Sequence, residues 1–376
     1  MESLRLAFVT DFFPPYVGGA PHLQWELARR VAARGHEVEV VTTRLPSTEA
    51  VEIREGVRIL RLGGEARVRR YSFAGRSLPA VRRIAARADA LQATTFIAAA
   101  PGSIGARLAH CPSLLTVYEV FGKDWTGYVA NPFVSRGLRM AETALLRLPF
   151  DQHVAISEYT AARLREHSRG RIKPNVVYPG IDESFWRPDP NAKDRFRSAN
   201  NLGDRFVYLY YGRAGISKGV LGLLDAAERF GREEPASRLF LVLSPGEVEA
   251  KALQRIESSP VLRDHVVIRR GLDRDSLRDA VQGADCVVVP SLAEGFGFTA
   301  TEPGQVGTPV IATRVGAVPE VISGSHLLVP PGDPQSMLEA LRKARRGEWD
   351  RTPLKRFSWD TTTTHYERIL STMGSA

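Results

Sequence analysis

The 376-residue sequence contains only two cysteines, Cys111 and Cys286, and neither belongs to a CxxC pair. Two isolated cysteines exclude a disulfide framework, and the eight histidines show no HxH or HExxH spacing typical of a metal site. No stretch approaches the ~20 apolar residues that would span a bilayer. The N-terminal run turns polar at Asp11 and lacks the cleavage site of a signal peptide. We therefore expect a cytoplasmic protein without disulfides and without a bound metal.

The composition excludes disorder, with 43% hydrophobic and 25% charged residues. The formal net charge of +9 is placed unevenly. Residues 1–173 hold 25 Lys+Arg against 16 Asp+Glu, whereas residues 174–376 hold 26 of each. The excess of positive charge in the first half favours binding of an anionic partner, such as phospholipid headgroups, nucleic acid or a phosphorylated substrate.

The stretch from Arg67 to Arg87 carries seven arginines and no acid. Its apolar and basic residues fall on different sides of a helix. Two interpretations stay open: a solvated basic face, or an amphipathic helix that lies on an anionic membrane at its inner, cytoplasmic face. We keep peripheral membrane contact as a hypothesis and expect no nucleic acid partner.

Strand and helix patterns alternate along both halves of the chain. Leu4–Thr10 is an apolar run typical of a buried strand, and Pro21–Arg34 has apolar residues at helical spacing. The alternation restarts with a strand over Arg205–Tyr211, and Asp333-Pro334 is typical of a helix start. Such runs predict α/β domains with mostly parallel sheets covered by helices on both faces.

A segment with four prolines, KPNVVYPGIDESFWRPDP, interrupts the alternation. Proline and glycine at this density indicate a connection rather than a helix or strand. We predict a first domain over residues 1–172, a linker over 173–190 and a second domain from 191. In doubly wound domains the ligand site lies at the carboxyl ends of the strands, which predicts a site in the cleft between the two.

The segment EGFGFTATE follows the apolar strand pattern CVVVPS. Glu294 lies just past the strand, two glycines allow a tight turn, and a helix is expected to begin near Phe298. The backbone N–H groups of Phe298 and Thr299 would then form an anion site. Glu294 and Glu302 would repel a phosphate there unless each carboxylate accepts hydrogen bonds from hydroxyl groups. The segment therefore predicts a ligand that carries both phosphates and sugar diols.

These two glutamates, separated by seven residues, resemble the E-x7-E signature of the GT-B retaining glycosyltransferases of family 4. YGRAGISKG, after the strand at Arg205–Tyr211, is similar to the family's G-R-x(n)-K-G element. The resemblance covers nearly the whole chain and is strongest from Tyr210 to Glu320. It implies the GT-B fold, with two facing Rossmann-like, doubly wound parallel-sheet domains and a cleft between them. It also implies that SWDTTTTHYERIL lies in a C-terminal helix, within residues 356–376, that packs back toward the N-terminal domain.

The implied activity is transfer of a hexose, with retention of configuration, from a nucleotide-diphosphate sugar to a hydroxyl group. The first domain would bind the acceptor and the second, residues 191–355, the donor. The basic first half favours a glycan or lipid-linked acceptor, a precursor of cell-surface polysaccharide or glycolipid. The nucleotide sugar is a substrate, so no cofactor or metal is implied. A nucleotide-sugar epimerase of the same fold, a non-catalytic nucleotide-sugar-binding protein and a nucleic-acid-binding protein stay open as alternatives.

The resemblance also implies roles for individual residues. Arg213 and Lys218 would hold the donor diphosphate, Glu294 the transferred sugar and Glu302 the ribose; Glu294, Arg213 and Lys218 form the catalytic set. The other implied donor-binding residues are Gly18, Gly19, Gly212, Arg270, Gly271, Leu272, Gly297, Phe298 and Thr299. Many relatives carry a histidine where this chain has Tyr118, so Tyr118 and the adjacent Glu119 are only candidates for the acceptor side.

Overall fold

The computed structural model describes residues 3–46, 48–63, 72–129 and 131–374. The chain forms two compact units. One comprises the residues up to Gly180 together with those from Phe357 onward, and the other is Ile181–Arg356. The chain leaves the first unit within the predicted linker and returns to it two residues past the predicted boundary at 355.

Eight strands form one sheet in the described part of the first unit. They are β1 (Arg5–Val9), β2 (Glu37–Thr43), β3 (Val51–Arg54), β4 (Val57–Leu62), β5 (Ala90–Thr94), β6 (Ser113–Val117), β7 (Gln152–Ala155) and β8 (Asn175–Val176). Their order is β3-β4-β2-β1-β5-β6-β7-β8. All pairs are parallel except β3–β4, a hairpin whose turn residues Glu55 and Gly56 both have positive φ. The parallel sheet confirms the prediction; the edge hairpin was not predicted.

Helices cover both faces of this sheet. They are α1 (Gly19–Ala33), α2 (Phe73–Ala85), α3 (Ala99–Ala109), α4 (Trp125–Tyr128), α5 (Pro132–Leu146) and α6 (Glu158–His167). Successive residues of β1 point to opposite faces, so Leu6 and Phe8 enter one core and Ala7 and Val9 the other. The first core contains residues of α1, and the second contains residues of α2, α3 and α6.

The second unit contains a seven-stranded sheet. Its strands are β9 (Val207–Arg213), β10 (Arg238–Ser244), β11 (Val266–Arg270), β12 (Cys286–Val289), β13 (Val310–Thr313), β14 (Gly324–Val329) and β15 (Asp350–Thr352). They run in the order β11-β10-β9-β12-β13-β14-β15, and only the β14–β15 pair is antiparallel. The strand order reverses between β9 and β12, which is where a doubly wound sheet opens a crevice for a ligand.

The helices of the second unit pack around a core that includes Tyr208, Phe230 and Leu341. They are α7 (Ala192–Ala199), α8 (Val220–Glu233), α9 (Glu249–Ser258), α10 (Pro260–His265), α11 (Arg274–Gly283), α12 (Phe298–Gln305), α13 (Val318–Val321) and α14 (Pro334–Arg345). The predicted start of α14 is confirmed, because the Asp333 carboxylate accepts hydrogen bonds from the N–H groups of Gln335 and Ser336.

The last helix, α15 (Trp359–Gly374), belongs to the first unit. Tyr366 and Leu370 are buried in the same core as α1, and the buried Glu367 carboxylate pairs with Arg34 and His36. None of the helices in the described ranges is both long enough and apolar enough to cross a membrane.

Candidate active site

In the second unit, two cationic side chains converge after β9. Arg213 ends the strand, and Lys218 ends a short 3-10 turn that precedes α8. A methyl group on Gly215, between them in sequence, would lie 3.8 Å from both Arg213 Nη2 and Lys218 Cγ. The Arg213 guanidinium and the Lys218 stem therefore lie near the same point, which a Glu247 carboxylate oxygen approaches more closely, at 3.2 Å.

Gly219 joins this turn to α8 at a very close backbone contact. Its φ is +67°, and an added Cβ would lie 1.9 Å from the carbonyl oxygen of Pro290. Only glycine combines this φ with such a close approach. The loop after β12 is held against the turn after β9 as a result, with Leu292 N–H donating to the Ser217 carbonyl at 2.7 Å.

Lys218 and Glu294 are in direct contact. Lys218 Nζ lies 2.6 Å from Glu294 Oε1, and the hydroxyl of Ser291 donates to the same oxygen at 2.8 Å. Glu294 is only 8% exposed. A buried carboxylate needs such partners, because transferring an unpaired charge out of water is costly. Lys218 and Ser291 therefore both contact the same carboxylate oxygen of Glu294, Oε1.

The predicted helix start near Phe298 is confirmed. Gly297, with φ +97°, precedes Phe298, the first residue of α12. The N-terminal end of a helix, here the turn that begins with Phe298 and Thr299, favours an anion. Nearby, Gly316 packs so closely on the Glu294 backbone that a Cβ would lie 2.0 Å from its carbonyl oxygen.

Glu302 lies in the second turn of α12, beside two aromatic side chains. The Tyr211 hydroxyl donates to Glu302 Oε2 at 2.8 Å, and Trp186 also hydrogen-bonds to the carboxylate. Burial raises the pKa of Glu302 to about 7, against the lowering effects of Tyr211, Arg274 and Trp186. Close to neutral pH, this carboxyl therefore exists in both protonation states.

The other predicted donor-binding residues of this unit lie at or just after the carboxyl ends of strands β9 and β11. Gly212 is part of β9. Arg270 ends the outermost strand β11, its side chain is 66% exposed, and its guanidinium lies 3.4 Å from Glu249. Gly271 and Leu272 follow, with Gly271 at φ +66°. The donor-binding roles of all these residues stay predictions.

In the first unit, Gly18 and Gly19 lie where the loop after β1 enters α1. Gly19 is the first helical residue, and Gly18 precedes it in an extended conformation. The same loop contains the rings of Phe12 and Tyr16, stacked 4.2 Å apart. The predicted role of the two glycines at the donor stays a prediction.

Tyr118 directly follows β6, but its hydroxyl faces the interior of the first unit. It is buried beside Gln24 and Thr94, and burial raises the pKa of Tyr118 well above its ordinary value. The Tyr118 side chain would have to turn away from this interior position before its hydroxyl could donate a proton to a bound sugar or accept one from it. Burial, followed by the charge of Glu119, raises the pKa of Tyr128, which places Glu119 near that phenol. The acceptor-side assignments of Tyr118 and Glu119 stay predictions.

The structure describes residues 72–87 of the arginine-rich stretch. Arg67, Arg69 and Arg70 lie outside the described residues. In α2 the apolar residues Val81 and Ile84 are buried in the core of the unit. The exposed residues of this stretch include Arg76, Arg82, Arg83 and Arg87. The protein itself therefore covers the apolar face that was a candidate for membrane contact, although contact through the arginines stays a prediction.

Sequence reasoning missed three residues that hold the two glutamates. Ser291 bonds to Glu294, and Tyr211 and Trp186 bond to Glu302. Ser291 and Trp186 do lie in segments with clear sequence signals, the strand end CVVVPS and the linker motif ESFW. Tyr211 gives no such signal, because an aromatic residue in an apolar strand reads as core.

Comparison with known proteins identifies the family of both halves. Residues 17–185 match the model described as Glycosyltransferase Family 4, and residues 192–357 match Glycosyl transferases group 1. The chain is 28% identical over 330 residues to the GDP-mannose-dependent alpha-(1-6)-phosphatidylinositol monomannoside mannosyltransferase of Mycolicibacterium smegmatis, covering 84% of this chain and 82% of that protein. It is 27% identical to the D-inositol 3-phosphate glycosyltransferase of Xylanimonas cellulosilytica, covering 91% and 89%.

Two solved structures illustrate the shared fold. Sucrose-phosphate synthase from Thermosynechococcus elongatus superposes with a TM-score of 0.84 at 23% identity, covering 99% of each chain. Anabaena HepE in complex with UDP-glucose gives a TM-score of 0.76 at 16% identity, covering 98% of this chain and 100% of that one. At these identities the likeness shows the fold, and it confirms the predicted GT-B class.

Proposed function

The chain belongs to the GT-B glycosyltransferases of family 4, and we propose that it moves a hexose from a nucleotide-diphosphate sugar to an acceptor hydroxyl with retention of configuration. The observation that carries this proposal is the contact of Lys218 with Glu294, four residues before the start of α12, with the Arg213 guanidinium near the same turn as Lys218. Cations for phosphate and a carboxylate for hydroxyls, side by side, match a ligand that contains both groups.

The two cations would act on the leaving group. The bond between the anomeric carbon and the diphosphate oxygen breaks while the acceptor oxygen forms a new bond to that carbon. Arg213 and Lys218 would offset the negative charge that develops on the departing diphosphate, an effect that grows in the transition state. The acceptor proton would pass to a departing phosphate oxygen on the same face of the sugar.

Glu294 would orient the sugar rather than attack it. Lys218 and Ser291 hold its Oε1, which sets the direction of Oε2, and an ionised carboxylate accepts sugar hydroxyls well. A glycosyl-enzyme ester at Glu294 is not part of the proposal. Glu302, bonded by Tyr211, would accept the ribose hydroxyls.

The acceptor class is suggested by the relatives and by the charge. The two named relatives act on a phosphatidylinositol monomannoside and on D-inositol 3-phosphate, and the first uses GDP-mannose. Residues 1–173 carry the entire excess of positive charge. We therefore propose a phosphate-bearing glycan or lipid-linked acceptor at the cytoplasmic side of a membrane.

Binding of nucleotides tests the donor assignment. The thermal midpoint of the protein is measured with UDP, GDP, ADP and dTDP and with their sugars, since a ligand specific for the folded state raises it. One diphosphate should stabilise the protein clearly more than the others. No response to any of them would contradict the proposal. Release of an altered sugar nucleotide without acceptor would instead identify an epimerase.

Glu294→Gln tests the role of the first glutamate. It should abolish sugar transfer while leaving affinity for the free nucleotide diphosphate nearly unchanged, because the diphosphate is held by cations and backbone. Wild-type transfer by this variant would rule out the orienting role. A matched control is Glu257→Gln on the exposed side of α9, which should transfer normally.

A further inference from the structure

Helix α5 exposes apolar residues on the side that faces solvent. Phe133, Gly137, Met140 and Ala144 are spaced by four, three and four residues, which places them along one face of the helix. Phe133 is 84% exposed and Met140 67%, with Val134 beside them at 50%. Large apolar side chains grouped in this way indicate an interaction surface, whereas single exposed ones do not.

The opposite face of α5 anchors the helix to the first unit. Glu142, 2% exposed, accepts hydrogen bonds from the N–H groups of Phe121 and Gly122 at 2.8 and 2.7 Å and from the Trp125 indole at 3.2 Å. Leu146 is buried on the same side. Because Glu142 is the only acid in the α5 sequence, the solvent face of the helix carries no carboxylate.

Arginines border the apolar face. Arg136 and Arg139 on α5, and Arg147 just after it, are all exposed. The nearest acids in sequence are engaged elsewhere: Asp124 pairs with Arg163 at 2.8 Å, and Asp151 accepts the N–H of Ser113 at 2.7 Å. The surface is thus apolar at its centre and cationic at its margin.

The end of α3 extends this surface. Ile104 is 43% exposed and Leu108 52%. Together with Leu148 and Pro149, which follow α5, they line a shallow groove that also contains Arg107 and His110. The groove connects the exposed apolar residues of α3 with the C-terminal end of α5 and contains an arginine and no acid.

We propose that the exposed faces of α5 and of the end of α3 form an interfacial docking surface for an anionic phospholipid bilayer. Phe133 and Met140 would enter the boundary between headgroups and acyl chains, and Arg136 and Arg139 would pair with lipid phosphates. The inference does not depend on sugar transfer. It also moves the membrane contact away from α2, whose apolar residues are buried in the core.

Charge decides between this occupant and the alternatives. A second copy of the chain would bring the same arginines together and repel, since the first half holds all of the excess positive charge. A nucleic acid would satisfy the arginines but leave Phe133 and Met140 facing a hydrated polyanion. An anionic bilayer provides both phosphates and an apolar layer at the required depth.

Sedimentation of the full chain with lipid vesicles tests the proposal. Vesicles of phosphatidylcholine alone are compared with vesicles that also contain phosphatidylglycerol. The wild-type chain should bind only the anionic vesicles, and more weakly as salt rises. Phe133→Ser/Met140→Ser should lower the partition coefficient by about tenfold or more. Arg136→Ala/Arg139→Ala should lower it by about 25-fold, since each arginine near an anionic surface contributes about a fivefold factor.

Two matched controls distinguish binding through this surface from non-specific hydrophobic adsorption and from binding through the arginine-rich stretch. Ile53→Ser removes an apolar side chain that is 75% exposed on β3 of the same unit and should leave vesicle binding unchanged. Arg82→Ala/Arg83→Ala on α2 should reduce binding much less than the α5 arginine pair. All of these positions are exposed, so thermal midpoints should match the wild type. An absence of wild-type binding, or equal losses in the α2 and α5 variants, would overturn the proposal.

Discussion

The Tyr211 hydroxyl donates a 2.8 Å hydrogen bond to Oε2 of Glu302, which links strand β9 to the second turn of helix α12. This bond orients one of the two glutamates of the E-x7-E segment. It also opposes the effect of burial, which raises the pKa of Glu302 to about 7. The protonation of the proposed ribose-binding residue is therefore sensitive to pH in the neutral range.

Nucleotide affinity should rise with pH through this value. Only the ionised carboxylate accepts two ribose hydroxyls, and a pKa of about 7 makes it a minority form at pH 6 and the major form at pH 8. We expect affinity for the nucleoside diphosphate to increase about tenfold across that interval. Calorimetry in buffers of different ionisation enthalpy should detect proton release on binding near pH 7. Tyr211→Phe should move the midpoint to higher pH; an unchanged midpoint would contradict the assignment.

The raised pKa of Glu302 should also make the folded protein less stable as pH rises, whereas it makes nucleotide affinity increase. The ordinary pKa of 4.5 applies to the unfolded chain, so the folded state retains a proton that the unfolded state has lost. The contribution of Glu302 to the free energy of unfolding is therefore fully present below about pH 4.5 and is lost as pH rises through about 7. Urea unfolding of the wild type and Glu302→Gln as a function of pH should show this difference.

Lys218→Ala should reduce kcat/KM for transfer by about 100-fold or more, since a charge clamp on a leaving phosphate supplies several kcal/mol. The variant also leaves the Glu294 carboxylate without its cationic partner. Lys343→Ala on the exposed side of α14 is the control and should transfer at the wild-type rate. Comparable kcat/KM values for Lys218→Ala and the wild type would exclude a diphosphate role for this lysine.

Gly316→Ala should impair transfer through the backbone of Glu294. The new Cβ would lie 2.0 Å from the Glu294 carbonyl oxygen, so the loop that positions this glutamate must move. Gly307→Ala is a matched control, with a positive φ of +80° but no heavy atom within 4 Å of the new Cβ. Gly307→Ala should lose about 1 kcal/mol of stability from the unfavourable φ alone, and Gly316→Ala should lose more, because its Cβ also meets backbone atoms. Only Gly316→Ala should lose activity in a steady-state assay, and equal activity of the two would refute the argument.

Glu367→Gln should destabilise the first unit by about 1–3 kcal/mol, because it removes a buried carboxylate bonded by charged or polar partners. Arg34 and His36 both contact this carboxylate, and it is 2% exposed. Asp360→Asn is the control: Asp360 pairs with the same Arg34 but is 83% exposed, so its loss should be small. Chemical unfolding measures both, and a larger effect at Asp360 would contradict the role of burial.

Much of the fold could be predicted because its signals are local. The apolar runs of β1 and β9, the start of α12 at Phe298 and the cap at Asp333 each depend on a few adjacent residues. The strand β4 was predicted with the bounds Val57–Leu62, whereas β3, its antiparallel pairing with β4, and the antiparallel strand β15 were not predicted. Short edge strands with charged residues carry little periodic signal, and their pairing depends on neighbours that lie elsewhere in the chain.

The family, the two parallel α/β sheets and the residue types of the predicted donor site can be inferred from the order of amino acids, because glycines, cations and glutamates occur at set spacings along the chain. Which side chains meet depends on the folded structure. It paired Lys218 with Glu294, set Tyr211 against Glu302, turned the Tyr118 hydroxyl inward and buried the apolar face of α2 while leaving that of α5 in solvent. An amphipathic pattern states only that a helix has an apolar side; whether protein, solvent or another surface covers that side is set by packing between distant segments.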